Sequence, residues 1–574
     1  YTAVLRIPFA SLRFTEGNQN GWRMMVTRSV PRDQSTLLTS VLIPHEATSL
    51  IQTMQQLSGI TLPASAQFLS LRPSLTVKHR RDSTSDRGTT ELLPTLDVKW
   101  RVAPELVIDA TYKPDFSQID LDVPQLAGNS GYALFYPEKR PFFFEASDLL
   151  RTPSNALYTR SFTAPTWGVR GTWRGPHLAA TAFVIDDQGG GTTLLPSAFG
   201  TETATQPASH TLAIRQIADV GPFQLGATAS ARKYKNQRGD NTVFGADIGW
   251  QANQNLNVRA HWLHSITTAQ PNAFDELVRA DTTRGDWLRL TGTYLTEGSQ
   301  TDLTVARIGA GFRNDSGFNN QTGVQMIEAR HGVNWRHLGP FNEFWLNMFF
   351  NHTRDIKTGQ TVITEPFPGI WFTAAGGTEV TVELHGFSTT RTAAHAPLLR
   401  ERYLRAEYFT VPGPNFPQFE ANLNIGKLVD VNANTTRPGM ELELSARWRA
   451  LAQLELEPKL THARLNHNGR QTYGETAFQL SGIWFINARS NLRGIFQRTT
   501  LNRKAELDVE PENTQANAMS VTYTWRHSAG TVFYLGASHA RTADGGMSRR
   551  SEAFVKLQID TDELRTLVNT ARRR

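Results

Sequence analysis

The chain has 574 residues and no cysteine, which excludes disulfides and thiolate metal sites. Its 59 basic and 52 acidic residues give a formal charge of +7, and the interleaving of the two signs argues against a nucleic-acid partner. No stretch approaches the roughly 18 apolar residues of a membrane helix. A membrane β-barrel stays open, because its strands need an apolar side chain only at every second position.

The start of the chain predicts a small strand-forming module and a linker. Residues 1–32 predict two strands, near 2–9 and 22–30. Residues 33–66 lack a clear period and predict a linker with a short helix near 46–57. Because the chain opens with Tyr inside an alternating stretch, we expect a mature chain or fragment whose start is missing.

Residues 67–560 alternate polar and apolar side chains along about 24 successive predicted strands. In 439–450, Leu442 and Trp448 fall on one face of an extended strand, and Glu441 falls on the other. Many of these strands exceed the length usual in soluble sheets and reach the ~9–11 residues that cross a bilayer at a tilt.

The predicted connections alternate between short and long. Short turns rich in Gly, Pro and Asn include 102–105 and 252–255, and long polar loops include 188–208 and 267–285. Outer-membrane barrels have short periplasmic turns and longer external loops. The sequence therefore predicts an all-β fold, a large antiparallel transmembrane β-barrel in the bacterial outer membrane. Both termini, including a polar tail at 561–574, are expected in the periplasm.

Tryptophans near predicted strand ends suggest an aromatic girdle at the membrane interfaces. The candidates are Trp100, Trp167, Trp250, Trp262, Trp287, Trp448 and Trp525. A soluble sandwich capped by the same residues is the alternative, and the turn parity favours the barrel. Its apolar face would meet lipid and lipopolysaccharide, and its charged face would line a wet lumen.

Residues 115–162 break the alternation and are too apolar for a simple external loop. Long loops in compact structures are usually packed or functional, so we predict that this segment folds inward and constricts or plugs the lumen. Its expected packing residues are Phe116, Phe135, Phe142, Phe143 and Phe144. Its charged candidates are Asp115, Asp120, Asp122, Glu138, Lys139, Arg140 and Glu145. These charges either anchor the segment to the barrel wall or form an eyelet that selects solutes.

Three patches carry a resemblance to a known family. Residues 112–118 read Tyr-Lys-Pro-Asp-Phe-Ser-Gln, residues 133–143 read Ala-Leu-Phe-Tyr-Pro-Glu-Lys-Arg-Pro-Phe-Phe, and 308–318 forms a third. They resemble the DUF5916 family, bacterial outer-membrane-type proteins of uncharacterised function with an N-terminal module similar to carbohydrate-binding family 9. The resemblance implies that 1–32 is the remnant of that module, whose missing part could bind a glycan.

The sequence carries no recognised catalytic motif, and its histidines lack metal-ligand spacing. We expect no enzyme activity, cofactor or metal. Asp186 and Asp187 suggest a loop turn or a weak cation site. Residues 189–191 suggest a flexible external loop. The predicted function is a channel or transporter, with glycan-related solutes as candidates. An occluded barrel acting as scaffold or receptor, and a soluble carbohydrate-binding or glycan-hydrolysing protein, stay open as alternatives. The oligomeric state is left open.

Overall fold

In the computed structural model, 24 antiparallel strands close a single barrel. The described residues are 5, 22–32, 34–41, 53–60, 68–83, 88–236, 238–268, 270–271, 277–278, 282–506, 509–528, 530–544 and 546–561. The first twelve barrel strands are β1 (Phe68–Asp82), β2 (Thr89–Arg101), β3 (Leu106–Tyr112), β4 (Pro165–Arg174), β5 (Leu178–Asp187), β6 (Ser209–Val220), β7 (Phe223–Tyr234), β8 (Asp240–Gln251), β9 (Leu256–Thr267), β10 (Thr283–Leu295), β11 (Ser299–Ile308) and β12 (Val324–Leu338). The other twelve are β13 (Phe341–Asp355), β14 (Thr361–Ala374), β15 (Thr378–His385), β16 (Arg402–Thr410), β17 (Gln418–Asp430), β18 (Thr435–Leu451), β19 (Leu454–His467), β20 (Arg470–Asn487), β21 (Ser490–Arg503), β22 (Glu512–Arg526), β23 (Val532–Asp544) and β24 (Met547–Gln558).

Shorter elements accompany this wall. The short strands are Arg23–Met24, Thr27–Arg32, Gln34–Thr39, Gln55–Gln56, Thr192–Pro196, Thr201–Thr205, Gln270–Pro271, Leu277–Val278, Thr389–Thr390 and Leu399–Arg400. Within the described ranges, the helices of three or more residues are α1 (Pro141–Phe144), α2 (Ser147–Leu150) and two 3-10 turns, Thr159–Ser161 and Ala375–Gly377. In the part of the chain that is described, no helix is long and apolar enough to cross a membrane.

The N-terminal predictions are met only in part. Thr27–Arg32 overlaps the strand predicted at 22–30, whereas the strand predicted at 2–9 lies outside the described residues except for Leu5, which is not in a strand. Most of the helix predicted near 46–57 also lies outside them. Where that stretch is described, Gln55–Gln56 is a strand paired with Arg23–Met24, so the helix prediction is wrong at these two positions.

The barrel closes where β24 pairs with β1, with Lys556 opposite Thr76. Because every pairing in the wall is antiparallel, alternate connections lie at opposite ends. One end has short turns such as 175–177, 339–340 and 488–489, and β1 starts and β24 finishes there. The opposite end holds the long segments, although some connections there, such as 468–469, are also short.

The two faces of the wall differ as the two-residue period predicts. On β24, Val555 and Leu557 are exposed on the outer face, whereas Lys556 between them is buried on the inner face. On β10, Leu288 and Leu290 are likewise exposed. An apolar outer surface around a polar interior is the arrangement of a membrane barrel and fits a lipid bilayer. The predicted fold class is therefore confirmed.

Three chain segments from the long-loop end fill part of the lumen: 113–164, 188–208 and 309–323. Strand β11 ends at Ile308, because the chain turns inward there. Gly311 permits this turn, since a Cβ at its position would lie 2.3 Å from the carbonyl oxygen of Arg284.

Candidate functional site

The lumen plug, residues 113–164, leaves the wall after β3 and rejoins it at β4. It contacts inner-face groups on widely separated strands. Near one side, Thr76 of β1 donates a hydrogen bond to Asp115 (2.8 Å). Farther along, the backbone N–H of Ala127 donates to Glu475 of β20 (3.1 Å). The plug therefore crosses the barrel interior, as predicted for residues 115–162.

Asp115 anchors the start of the plug. Its side chain is only 4% exposed and lies 3.4 Å from Lys556 Nζ and 3.9 Å from Lys78 Nζ. The Ser117 hydroxyl also donates to it (2.6 Å). Burial raises the pKa of this carboxyl, but Lys556, the hydrogen bonds from Ser117 and Thr76, and Lys78 outweigh burial and leave the pKa below its usual value. Asp115 is therefore a buried, ionised attachment point.

Glu138 and Arg140 form a clamp within the plug. The guanidinium donates to both carboxylate oxygens of Glu138 (2.9 and 2.7 Å) and to the carbonyl oxygens of Phe162 (2.6 Å) and Thr159 (2.7 Å). Its carbon lies 4.3 Å from the ring centroid of Phe143. Burial raises the pKa of Glu138, but the Arg140 contacts and the Thr159 hydrogen bond lower it overall. The Pro-Glu-Lys-Arg-Pro motif thus ties the middle of the plug to its end.

The remaining predicted charges also lie in ion pairs. Asp120 pairs with Arg493 of β21, and Glu145 pairs with Lys99 of β2. Asp122 pairs with Arg160 and, at 3.2 Å, with Lys139. Asp120, Glu138 and Lys139 line a cavity of about 510 Å³ between the plug and the wall. The pairs with Arg493 and Lys99 attach the plug to the wall, and the selection of solutes by these charges stays a prediction.

The predicted packing aromatics divide into packed and exposed side chains. Phe143 is buried with Phe162 and Phe183, and Phe142 packs against the edge of the same cluster. Phe135 contacts Tyr158 and Phe318, with ring centroids 5.0 and 5.1 Å away.

The other two aromatics are Phe116 and Phe144. Phe116 lies beneath Arg140, 5.5 Å from its guanidinium carbon. Phe144 does not pack: its side chain is 62% exposed toward the cavity, so that prediction is wrong. In a one-turn helix, three successive phenylalanines cannot all face the same core.

Six of the predicted girdle tryptophans are exposed on the outer face: Trp100, Trp167, Trp250, Trp262, Trp448 and Trp525. Trp250 and Trp448 lie near short turns, and Trp262 lies toward the opposite end. The girdle prediction is wrong for Trp287. Its side chain is 8% exposed and packs on the inner side against Phe312, with 5.6 Å between the ring centroids. It shares its strand face with Arg289, so the alternation of β10 itself indicates the inner position.

Sequence reasoning missed the two segments that lock the plug. In 309–323, the Ser316 carbonyl accepts from the Tyr158 N–H (2.8 Å) and the Asn155 carbonyl accepts from the Phe318 N–H (3.0 Å). In 188–208, the Thr201 N–H donates to the Gly131 carbonyl (2.8 Å). Both segments are rich in Gly, with Thr frequent in 188–208 and Asn in 309–323, and on sequence alone these residues indicate only a loop.

Asp187 binds groups from the plug, from 188–208 and from the wall, and is not a cation site. It is fully buried, accepts hydrogen bonds from the Ala164 N–H (2.8 Å) and Gln206 (2.6 Å), and pairs with the equally buried Arg232 (3.2 Å). Nor is 189–191 a free external loop. A Cβ at Gly191 would lie 1.9 Å from the Thr163 hydroxyl, so this turn packs directly on the plug.

Part of the inner wall is wet. Along β16, β18 and β19, the inner-face side chains of Arg405, Arg447 and Glu457 are 47%, 45% and 45% exposed. Their hydrogen-bonded partners, such as Glu407 for Arg405 at 2.8 Å, lie on the same wall. A water-accessible surface therefore persists inside the barrel beside the plug. Over the described residues, no group of three or more His, Asp or Glu could hold a metal ion.

These features can be compared with known proteins. Residues 67–165 match the family model described as Domain of unknown function (DUF5916). The matched region holds β1, β2, β3 and the whole plug, and it confirms the resemblance predicted from residues 112–118 and 133–143. No curated protein matches the chain.

Several solved structures share a distant similarity. One is the copper transporter OprC, with 9% identity, 87% of this chain and 82% of that chain covered, and a TM-score of 0.41. The ferric enterobactin receptor PfeA, in complex with BCV-L6, gives the same four values. OccK2 (OpdF) of Pseudomonas aeruginosa has 9% identity, 86% and 98% covered, and a TM-score of 0.30. Because these TM-scores are all below 0.5, the barrel is assigned from the strand pairing of this chain and not from these similarities.

Proposed function

We propose that the protein is an outer-membrane channel or transporter, in which solutes pass between the plug and the uncovered inner wall. The observation that carries this proposal is the exposure of Arg405, Arg447 and Glu457 inside a closed barrel. Charged groups that stay hydrated in the interior mark a path along which a polar solute keeps its own hydration.

Within this path, Asp120 and Lys139 form the charged constriction, and Glu138, which Arg140 holds, borders it. They border the 510 Å³ cavity together with Arg493 and Arg526 of the wall. Asp115 and Arg140 have a different role, since both are buried and hold the plug in place. Charges of both signs at the constriction favour neutral or zwitterionic solutes over strongly charged ones.

The short-turn end is assigned to the periplasm, with both barrel termini, and the long-loop end to the cell surface. Lipopolysaccharide would then contact the outer wall near the long loops. Arg307, Gln325 and Arg354 support this, because they form one exposed cross-strand row there.

A cysteine introduced in 386–401 should react with an impermeant maleimide on intact cells, and one in 221–222 should not; the reverse pattern would invert the topology.

Conductance in planar bilayers tests the proposal. The intact protein should give ion currents, and replacing 115–162 with a short Gly-Ser hairpin should increase them several-fold. The replacement is sterically reasonable, because Tyr112 and Trp167 are already paired across β3 and β4. Wall mutations give a milder second variant: Arg493→Gln should alter ion selectivity without removing the plug.

One observation favours a second function, an occluded receptor or scaffold. The plug, 188–208 and 309–323 interlock through several backbone hydrogen bonds, which would resist opening. If the intact protein is silent and currents appear only after the plug is replaced, the occluded barrel is supported and the open channel is refuted.

A further inference from the structure

A depression on the inner wall, the inner-wall niche, lies across β12 to β16 away from the plug attachment points. Its floor is Asn347 of β13, which pairs in register with Gly332 of β12 and Gly369 of β14. A Cβ at Gly332 would lie 2.5 Å from Asn347 Oδ1, and a Cβ at Gly369 would lie 3.1 Å from Glu383 Cγ. The two glycines therefore let the Asn347 amide and the Glu383 side chain lie directly against the backbone of the neighbouring strands, and Asn347 and Gly369 line a cavity of about 540 Å³.

Aromatic pairs border this floor on both sides. Trp345 pairs across the strands with Trp371, and Phe349 pairs with Phe367, whose ring centroid is 4.7 Å away. The two pairs are four residues apart along β13, which at ~3.3 Å per residue separates them by roughly 13 Å. That spacing accommodates one or two six-membered rings.

The charged groups of the niche balance. Arg330 and Arg405 contribute two positive charges, and Glu383 and Glu407 contribute two negative charges. Arg330 donates to Asn347 Oδ1 (3.4 Å), and Arg405 lies 3.9 Å from Glu383.

We infer that the niche binds a neutral saccharide within the transport path. Sugar hydroxyls both donate and accept hydrogen bonds, which matches adjacent guanidinium, amide and carboxylate groups. The C–H faces of a pyranose pack on aromatic side chains, which supply apolar area without requiring a charge. This inference rests on the proposed function in placing the niche on a route, and it is tested separately by binding.

The test uses the full-length protein in detergent with maltohexaose as the probe, followed by calorimetry and tryptophan fluorescence. Trp345→Ala and Trp371→Ala should each weaken binding at least tenfold, and Trp448→Ala, on the lipid face, should leave it unchanged. Asn347→Ala provides a second variant with little change in packing, also expected to weaken binding at least tenfold. Heat-modifiable migration verifies that each variant is folded.

A charged probe tests the preference for a neutral ligand, and bilayer currents separate the niche from the channel. A polygalacturonate hexamer should bind at least tenfold more weakly than maltohexaose, and equal or tighter binding overturns the assignment of a neutral ligand. No binding of maltohexaose to the intact protein, or equal losses in Trp448→Ala and Trp345→Ala, overturns the niche. Binding without any bilayer current keeps the niche and refutes the channel; current without binding keeps the channel and refutes the niche.

Discussion

Asp115→Asn should release the plug from the wall. The substitution removes the carboxylate that faces Lys556 at 3.4 Å, while the Lys556 side chain, itself 4% exposed, stays buried. Removing one partner of a buried ion pair costs about 3–5 kcal/mol, because the other charge is left uncompensated. Since about 1.4 kcal/mol is a factor of ten, the undocked population should rise by between roughly two and four powers of ten.

The chain contains no cysteine, so one introduced thiol reports plug opening without background. Ala156 lies in the plug core and is 1% exposed, so a thiol in Ala156→Cys should react with a maleimide only when the plug undocks. The rate measured in Ala156→Cys alone is the reference for the same variant carrying Asp115→Asn.

Asp148→Asn is the matched control, because it also neutralises a plug carboxylate that is paired with an arginine, Arg174, at 2.7 Å. The Asp148 side chain, however, is 58% exposed. Exposed pairs contribute about 0.2–1 kcal/mol, so the labelling rate should change less than about fivefold. If Asp115→Asn labels no faster than Asp148→Asn, the buried pair does not hold the plug and the reasoning is refuted.

Two further predictions concern acid and glycine. The pKa values of Asp115 and Glu138 lie below the usual range, so their contribution to docking is complete above about pH 5 and is lost as the pH falls through those lower values. A nitroxide attached in Phe144→Cys should therefore show constant mobility from pH 7 to about pH 5 and greater mobility below. An increase in mobility near pH 6 would contradict this sign. Gly285→Ala should displace 309–323, since the new Cβ would lie 2.1 Å from the Phe312 nitrogen, whereas nothing lies within 4 Å of a Cβ at Gly292. Overpacking costs of about 1–3 kcal/mol should lower the temperature of heat-modified migration for Gly285→Ala but not for Gly292→Ala, and equal values would show that the segment adapts.

The strands could be predicted because their pattern is local. Glu441 and Leu442 alternate as the pleat requires, and the same rule gives both faces of β24. Trp287 was misplaced because nearness to a strand end was weighed above the alternation of its own strand. The inward course of 309–323 was not predictable, because glycine and asparagine indicate a loop without indicating its direction.

The plug was recognised, but its contacts were not predictable. Arg140 binds the carbonyls of Thr159 and Phe162, about twenty residues away, and Asp115 binds Lys556, at the other end of the barrel sequence. No local period encodes such partners, since they depend on how the wall closes. The niche was missed for the same reason: its glycines and aromatics come from strands that become neighbours only in the sheet.

The position of Asp115 has a consequence for assembly. Its partners Thr76 and Lys78 belong to β1, and Lys556 belongs to β24, so the carboxylate spans the seam at which the cylinder is sealed. The full set of partners exists only once the last strand has met the first. Completing the wall and securing its contents are therefore one event, and a half-built barrel cannot hold its plug by this latch.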